Sequence, residues 1–114
     1  MKLTDMTIEE MCTTTEKQSF DRKSAKIEAT AIATPMIAFA NADGGILAVG
    51  IEDNGDITGV NKKHADEIGV AALIANKTVP SLAVRAEIIS EENMDVLKIE
   101  IPMSRTIVAS ADGK

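Results

Sequence analysis

Residues 38–60 read AFANADGGILAVGIEDNGDITGV and contain the signals that decide the fold. A long apolar stretch of helical character ends at Gly44 and Gly45, because glycine readily adopts the left-handed backbone conformation that terminates a helix. The run ILAVGI at 46–51 is short and continuously apolar, which is typical of a central strand buried on both faces. The stretch therefore predicts a helix followed directly by a core strand.

Hairpin signals follow this strand. Asn54-Gly55 is the strongest short-range signal for a tight turn between strands, so residues 57–60 are predicted to return as a second strand. Further along, residues 82–89 and 95–101 alternate between apolar and polar side chains and predict a second antiparallel pair.

Two main helices are predicted, over residues 24–42 and 62–77. Pro35 falls inside the first, where a proline disfavours a continuous helix, so we expect a kink or a restart there. A short additional helix near the N-terminus is indicated by Thr7 and Glu10, which have the spacing of a capping box.

These elements predict an α+β fold with a mixed or antiparallel sheet of about five to six strands. Residues 16–23 are expected to be extended, and 106–110 to form a short last strand. We expect one domain over residues 1–114. The final residues, 112–114, have the composition of a turn, so we expect a C-terminal domain to follow in a longer protein.

The composition excludes several classes of site. The chain has no Trp or Tyr and only two Phe, so the core is aliphatic and the aromatic platforms that grip single-stranded nucleic acid are missing. Its one cysteine, Cys12, excludes an internal disulfide framework. The N-terminus lacks the apolar region of a signal peptide, and we expect a cytoplasmic protein without membrane contact.

The net charge of −6 is unevenly distributed. Residues 1–26 hold five basic and five acidic side chains, residues 27–61 hold five acidic and no basic ones, and residues 62–114 hold seven basic and eight acidic ones. An acidic chain repels a polyanion at long range. Because the excess acid is central, the N-terminal segment can still contact phosphate groups.

Motifs for nucleotide and metal chemistry are missing. The sequence has neither a phosphate-binding P-loop nor a G-x-G-x-x-G pattern, and Gly44-Gly45 leads into a strand rather than into a helix N-terminus. With a single histidine, His64, and a single cysteine, it supports neither a catalytic triad nor a zinc site. We therefore expect no cofactor and no resident metal.

Several short motifs together resemble a known family. They match at Ala38-Phe39-Ala40-Asn41, Gly44-Gly45, Gly50-Ile51-Glu52-Asp53, Gly55 and Gly59-Val60. In this respect the chain resembles the Schlafen-type AlbA domain, also described as a divergent AAA domain, and Asp21-Arg22-Lys23 stands where that family has Glu-Phe-Lys. The resemblance runs from Glu16 to about Val108. It implies an AlbA-like fold in a bacterial protein of the RecG-helicase-related or transcriptional-regulator type.

The resemblance implies nucleic-acid binding, with DNA as the expected ligand. We expect no enzymatic activity of the isolated domain. The candidate phosphate contacts are Lys17, Arg22, Lys23 and Lys26, with Lys62 and Lys63 as further candidates. The alternative is a solvated amphipathic face, since five basic residues among five acidic ones do not form a basic patch by composition.

A second hypothesis is a metal-dependent nuclease, because some eukaryotic Schlafen proteins resemble this domain and cleave RNA through three acidic residues. The corresponding carboxylates here are Glu16, Asp21 and either Glu52 or Asp53. Clustered carboxylates bind Mg²⁺ or Mn²⁺, which would polarise a phosphate and activate water. The alternative is that the acidic residues at 52–56 only form an exposed turn.

A third hypothesis is a dimerisation or sensing module without nucleic-acid contact, in which unpaired sheet edges supply the surface. The remaining motif residues have structural explanations. We expect Asn41 to cap its helix, and the glycines to serve backbone conformation and packing, namely Gly44, Gly45, Gly50 and Gly59.

Overall fold

The computed structural model describes residues 7–13, 20–24, 32–60, 78–79, 82–91 and 94–110. Two helices and six strands lie within these ranges. They are α1 (Ile8–Thr13), β1 (Phe20–Lys23), α2 (Ala33–Ala40), β2 (Gly45–Val49), β3 (Thr78–Val79), β4 (Arg85–Glu91), β5 (Met94–Ile101) and β6 (Ala109–Ser110).

The strands form two sheets. The larger has the order β1-β2-β5-β4, with β1 parallel to β2 and the other neighbours antiparallel. The smaller is an antiparallel pair of β3 and β6. The predicted α+β class with a mixed sheet is confirmed, although the strands are divided between two sheets.

Helix α1 begins with the predicted capping box. The Thr7 backbone N–H donates to Glu10 Oε1 at 3.1 Å, and the Glu10 backbone N–H donates to Thr7 Oγ1 at 3.2 Å. These bonds satisfy backbone donors that have no acceptor within the helix. The helix ends at Thr13, whose hydroxyl donates to the Glu9 carbonyl.

Helix α2 shows how Pro35 is accommodated. The described helix begins at Ala33, which places Pro35 in the first turn, where a backbone N–H has no acceptor within the helix. Residues 25–31 of the predicted helix lie outside the described residues, so the predicted kink or restart at Pro35 stays a prediction. The helix ends after Ala40, and the Gly44 N–H donates to the Phe39 carbonyl at 2.8 Å.

The predicted return strand at 57–60 is wrong. Only an isolated bridge joins Ile51 to Ile57, and the backbone N–H groups of Thr58 and Gly59 both donate to the Gly50 carbonyl. Two donors on one carbonyl, with Gly50 and Gly59 both at positive φ, turn the chain away from a regular ladder. The tight turn at 52–56 is nevertheless present.

The second antiparallel pair is confirmed as β4 and β5, with β4 beginning at Arg85 rather than at residue 82. The predicted strand at 106–110 shortens to β6. Its partner β3 was not predicted, since two residues are too few to show a periodic pattern. The predicted helix at 62–77 lies outside the described residues.

Both faces of the larger sheet are covered. On one face the buried core comprises Ile32, Ala33, Met36, Phe39, Ala40, Leu47, Val49, Leu82, Leu97, Ile99, Ile101 and Val108. On the other it comprises Ile8, Met11, Phe20, Ile46, Ala48, Ile51 and Val96. We call them the α2 core and the α1 core. Apart from the two Phe, both consist of aliphatic side chains and methionines, as the composition predicted. No described helix is long and apolar enough to span a membrane.

Candidate functional site

Strand β1 carries the described part of the predicted basic segment. It is an edge strand of the larger sheet and pairs in parallel with β2, with Arg22 beside Ala48 and Lys23 beside Val49. Because successive side chains of a strand point to opposite faces, Arg22 lies on the face of the α1 core and Lys23 on the face of the α2 core. The other predicted contacts lie outside the described residues, namely Lys17, Lys26, Lys62 and Lys63.

Arg22 is buried, with only 6% of its surface exposed. Its Nε–H donates to the Met11 carbonyl at 2.7 Å, and its guanidinium carbon lies 5.3 Å from the centre of the Phe20 ring. A buried guanidinium requires such partners. The contact joins α1 to β1, which gives Arg22 a structural role in place of the exposed position that a phosphate contact requires.

Lys23 ends β1 and is the basic residue of the strand that reaches solvent. Its side chain is 39% exposed, and its Nζ lies 3.2 Å from Asp21 Oδ2. The Lys23 carbonyl accepts the Gly50 N–H at 2.9 Å, so the backbone beneath the side chain is held in place. An exposed ion pair of this kind contributes at most about 1 kcal/mol, so the ammonium can exchange Asp21 for another anion.

Two of the described carboxylates of the nuclease hypothesis, Asp21 and Glu52, have partners within the fold, and the third, Asp53, is exposed in the turn. Asp21 Oδ1 accepts the Arg22 N–H at 2.8 Å, and Glu52 Oε2 accepts the Thr58 hydroxyl at 2.8 Å. Glu16 lies outside the described residues. Among those that are described, no three His, Cys, Asp or Glu side chains lie together as a group that could hold a metal ion.

The acidic turn at 52–56 is held by its own hydrogen bonds. The Glu52 N–H donates to the Asp56 carbonyl at 2.8 Å, and the Gly55 N–H donates to the Glu52 carbonyl at 2.9 Å. Asn54 Oδ1 accepts the Asp56 N–H at 2.9 Å, which is the usual reason for Asn and Asp in turns. The described contacts of these acidic residues are accounted for by turn formation.

Asn41 has a role that its local sequence does not show. It ends α2 as predicted, with its backbone N–H donating to the Ile37 carbonyl. Its side chain, however, donates from Nδ2 to the Val108 carbonyl at 3.0 Å and accepts the Val108 N–H on Oδ1 at 2.7 Å. The amide thus pairs with both backbone groups of a residue 67 positions away and anchors the segment before β6.

Replacing Asn41 by aspartate is expected to lower the free energy of unfolding by about 1–3 kcal/mol. The variant loses the Nδ2 donor and places a carboxylate oxygen opposite the Val108 carbonyl. Urea denaturation measures the change. Asn54→Asp is the matched control: it also loses an Nδ2 donor, to Asp56 Oδ2 at 3.1 Å, but in an exposed turn that keeps its acceptor for the Asp56 N–H, so its cost is below about 1 kcal/mol. Equal losses in the two variants would contradict the assigned role of Asn41.

The motif glycines behave largely as expected. Gly44, Gly50 and Gly59 have φ values of +80°, +109° and +78°, which L side chains rarely adopt. Gly45 instead begins β2.

A cavity of about 480 Å³, which no sequence motif indicated, lies at the opposite end of the strands from Lys23. It is lined by Asp43, Gly45, Ile46, Ala83, Val84, Arg85, Glu100, Ile101, Pro102 and Met103.

Two solved structures share this fold. The N-terminal domain of a protein from Nitrosomonas europaea, described as related to the ATP-dependent DNA helicase RecG, superposes with a TM-score of 0.73 at 18% identity, over 93% of this chain and 81% of that one. The DIP2311 protein from Corynebacterium diphtheriae gives a TM-score of 0.67 at 24% identity, over 85% of this chain. At these identities the likeness establishes the fold.

The chain spans 20% of the length of the Corynebacterium protein. Among curated proteins there is no match. The sequence does match the family described as Schlafen, AlbA_2 over residues 13–114, which is most of its length. The two helices, the mixed sheet and the glycine-bounded strand β2 are therefore those of a known type of domain, and the chain belongs to the Schlafen, AlbA_2 family.

Proposed function

We propose that this chain is a nucleic-acid-binding module and that its ligand is DNA. The module would serve a longer bacterial protein in the cytoplasm, of the helicase-related or transcriptional-regulator type, and would have no enzymatic activity by itself. Membership of the Schlafen, AlbA_2 family and the similarity to the N-terminal domain of a RecG-related protein support this proposal. The remaining support comes from Lys23.

The observation that carries the proposal is the exposed ammonium of Lys23 at the end of the outer strand β1. In sequence, Lys17 and Lys26 flank this strand, so three lysines fall within ten residues. The single carboxylate of β1, Asp21, already pairs with Lys23, and a phosphate would compete with it for the ammonium.

The net charge of −6 limits the affinity of the proposed complex. Long-range repulsion opposes a polyanion, so binding would depend on a few short-range phosphate contacts and weaken steeply with salt. We therefore expect weak binding that is measurable at about 50 mM salt and much reduced at about 200 mM.

Fluorescence anisotropy with a short labelled oligonucleotide, as a single strand and as a duplex, tests the proposal. Lys23→Gln should weaken binding and reduce the slope of log K against log salt by about 0.9 for duplex or about 0.7 for single-stranded DNA. Arg105→Gln removes the same charge from the exposed loop after β5, at the other end of the sheet, and should leave the slope unchanged.

Three results would overturn the proposal. One is the lack of binding to any oligonucleotide, RNA included, at about 50 mM salt, where phosphate contacts are strongest. Another is an equal effect of the two variants, which would show a response to net charge rather than a site. The third is binding that does not change with salt. Thermal unfolding of each variant verifies that it is folded.

A further inference from the structure

Strand β4 is the edge strand on the other side of the larger sheet from β1, and no described strand pairs with its outer side. Its seven residues, RAEIISE, contain neither proline nor lysine, and its register with β5 runs without a bulge from Arg85↔Glu100 to Glu91↔Met94. Natural sheets protect their edges with such features, because an unprotected edge is a template for another strand. The charges that the strand does carry, on Arg85, Glu87 and Glu91, are of both signs, so a second strand with complementary charges can pair with this edge.

The apolar side chains of β4 are only partly covered within the chain. Val84, immediately before the strand, and Ala86 and Ile88 within it are half-buried against the α2 core. Ile89 is half-buried against the α1 core. Both faces would gain apolar burial if the sheet continued beyond β4.

We propose that two copies of this chain pair through β4, antiparallel, about a two-fold axis that passes through Ala86. In this register Ala86 lies opposite itself, Val84 lies opposite Ile88 of the second copy, and Arg85 lies opposite Glu87 of the second copy. The two-fold axis produces each heterologous pair twice. The result is a continuous eight-stranded sheet, twice the four strands of one copy.

Charge complementarity selects this register. In a continuous sheet, the side chains of opposite residues lie on the same face. The two-fold axis must therefore pass through a residue and cannot pass between two residues, so each alternative register has a different residue of β4 on the axis. A centre on Arg85 or on Glu87 would place like charges opposite each other, which is unfavourable. A centre on Ile88 would place Arg85 opposite Glu91, but it would also place Glu87 opposite the apolar Ile89. Of these four centres, only Ala86 places both Arg85 and Glu87 opposite a residue of the other charge and keeps apolar residues opposite one another.

The carboxylate of Glu87 can serve both partners. Its Oε1 lies 3.0 Å from Lys98 Nζ, and the side chain is 41% exposed. The second carboxylate oxygen remains available for the guanidinium of Arg85 from the second copy, since a carboxylate accepts several hydrogen bonds. The exposed Arg85 begins the strand on the same face.

The cavity at the start of β4 fits the same register. It is lined in part by Ala83 and Arg85, with apolar walls from Ile46 and Ile101. A centre on Ala86 places Ile89 of the second copy opposite Ala83, on the face to which Ile46 also belongs. The second copy thus supplies an apolar side chain at the rim of an otherwise open space.

Light scattering coupled to size-exclusion chromatography, over a range of concentrations, tests the pairing. The intact chain should approach twice its mass of 12.1 kDa as concentration rises. Arg85→Glu places two carboxylates opposite each other in each pair, and Glu87→Arg places two guanidinium groups there. Each change replaces two attractions by two repulsions, so each variant should weaken the dimer at least about tenfold.

A mixture of the two single variants tests most directly whether Arg85 of one copy pairs with Glu87 of the other. In the mixed dimer, one copy presents two carboxylates at these positions and the other presents two guanidinium groups, so both pairs become favourable again. The mixture should recover the dimer that each variant lacks alone, and the double variant Arg85→Glu/Glu87→Arg should recover it as a homodimer. Circular dichroism verifies that each single variant is folded.

Crosslinking provides a second readout that does not depend on charge. In a Cys12→Ser chain, a cysteine introduced by Ala86→Cys should form a disulfide with the same cysteine of the second copy, because the two-fold axis passes through that position. The same substitution at Ser90 should not. A monomer at all concentrations would overturn the proposal. So would a dimer that the single charge reversals leave unchanged, a mixture that does not recover it, or crosslinking at Ser90 in place of Ala86.

Discussion

Replacing Gly44 by alanine is expected to lower the free energy of unfolding by about 3 kcal/mol or more. Gly44 has a φ of +80°, and a β-carbon there would lie 2.7 Å from the Ile101 carbonyl oxygen and 2.9 Å from the Met103 nitrogen. Both are backbone atoms, so no side-chain rotation can relieve the contact. The turn that joins α2 to β2 would have to move away from the end of β5.

Gly59→Ala is the matched control for this prediction. Its φ of +78° is nearly the same, but the nearest atom to an added β-carbon is Met94 Cε at 3.5 Å, an ordinary contact. Its cost should therefore be the conformational one alone, about 1–2 kcal/mol. Urea denaturation of both variants measures the difference. If the two losses agree within error, the close approach of Gly44 to β5 does not exist.

Replacing Lys98 by methionine is expected to cost about 2–3 kcal/mol. The Lys98 side chain is only 4% exposed, and its ammonium lies 3.0 Å from Glu87 Oε1 and 3.5 Å from Glu100 Oε2. Methionine fills similar space, so the main loss is electrostatic: Glu100, itself largely buried, keeps its charge without this counter-ion. The partial exposure of Glu87 places the expected cost at or below the lower limit of the range for buried pairs, which is about 3–5 kcal/mol.

Two further variants isolate the electrostatic cause. Glu87→Gln removes the more exposed partner and should cost at most about 1 kcal/mol. Lys98→Met/Glu100→Gln removes both charges of the buried pair and should recover a large part of the loss seen with Lys98→Met alone. Urea denaturation of the three variants provides the comparison. A double variant no more stable than Lys98→Met would show that the loss of stability comes from packing and not from the Glu100 carboxylate left without a counter-ion.

Much of the fold follows from local sequence signals. The capping box of Thr7 and Glu10, the tight turn at Asn54-Gly55 and the buried strand after Gly45 all form as predicted. Each depends on residues a few positions apart, so the relevant interaction is written in one stretch of sequence. The return strand at 57–60 failed because Thr58 and Gly59 both bond to the Gly50 carbonyl, a geometry that the alternation of residues does not encode.

The candidate site was predictable only in part. The sequence predicted Arg22 and Lys23 alike as phosphate contacts, because the two cations are adjacent. The pairing of β1 with β2 places them on opposite faces, and α1 then covers Arg22 while Lys23 reaches solvent. No property of the two residues themselves distinguishes them, because burial depends on which element packs against each face.

Lys98 and Asn41 illustrate the same limit. A lysine in a strand is usually exposed, yet Lys98 lies between Glu87 on β4 and Glu100 on its own strand, under cover from solvent. Asn41 pairs with Val108, 67 positions away. Both interactions join segments that are brought together only by the folded sheet.

The α+β class, the aliphatic core and the uneven distribution of the negative charge could be predicted from composition, periodicity and turn residues. The Schlafen-type family was indicated by the resemblance of the short motifs between 38 and 60. All of these signals lie in the composition or in residues a few positions apart. The tertiary structure decided which cation is exposed, which carboxylates are used internally, and that β4 ends the described sheet with complementary charges. Those depend on register and on packing between distant segments, where a shift by one residue exchanges the buried and the exposed face.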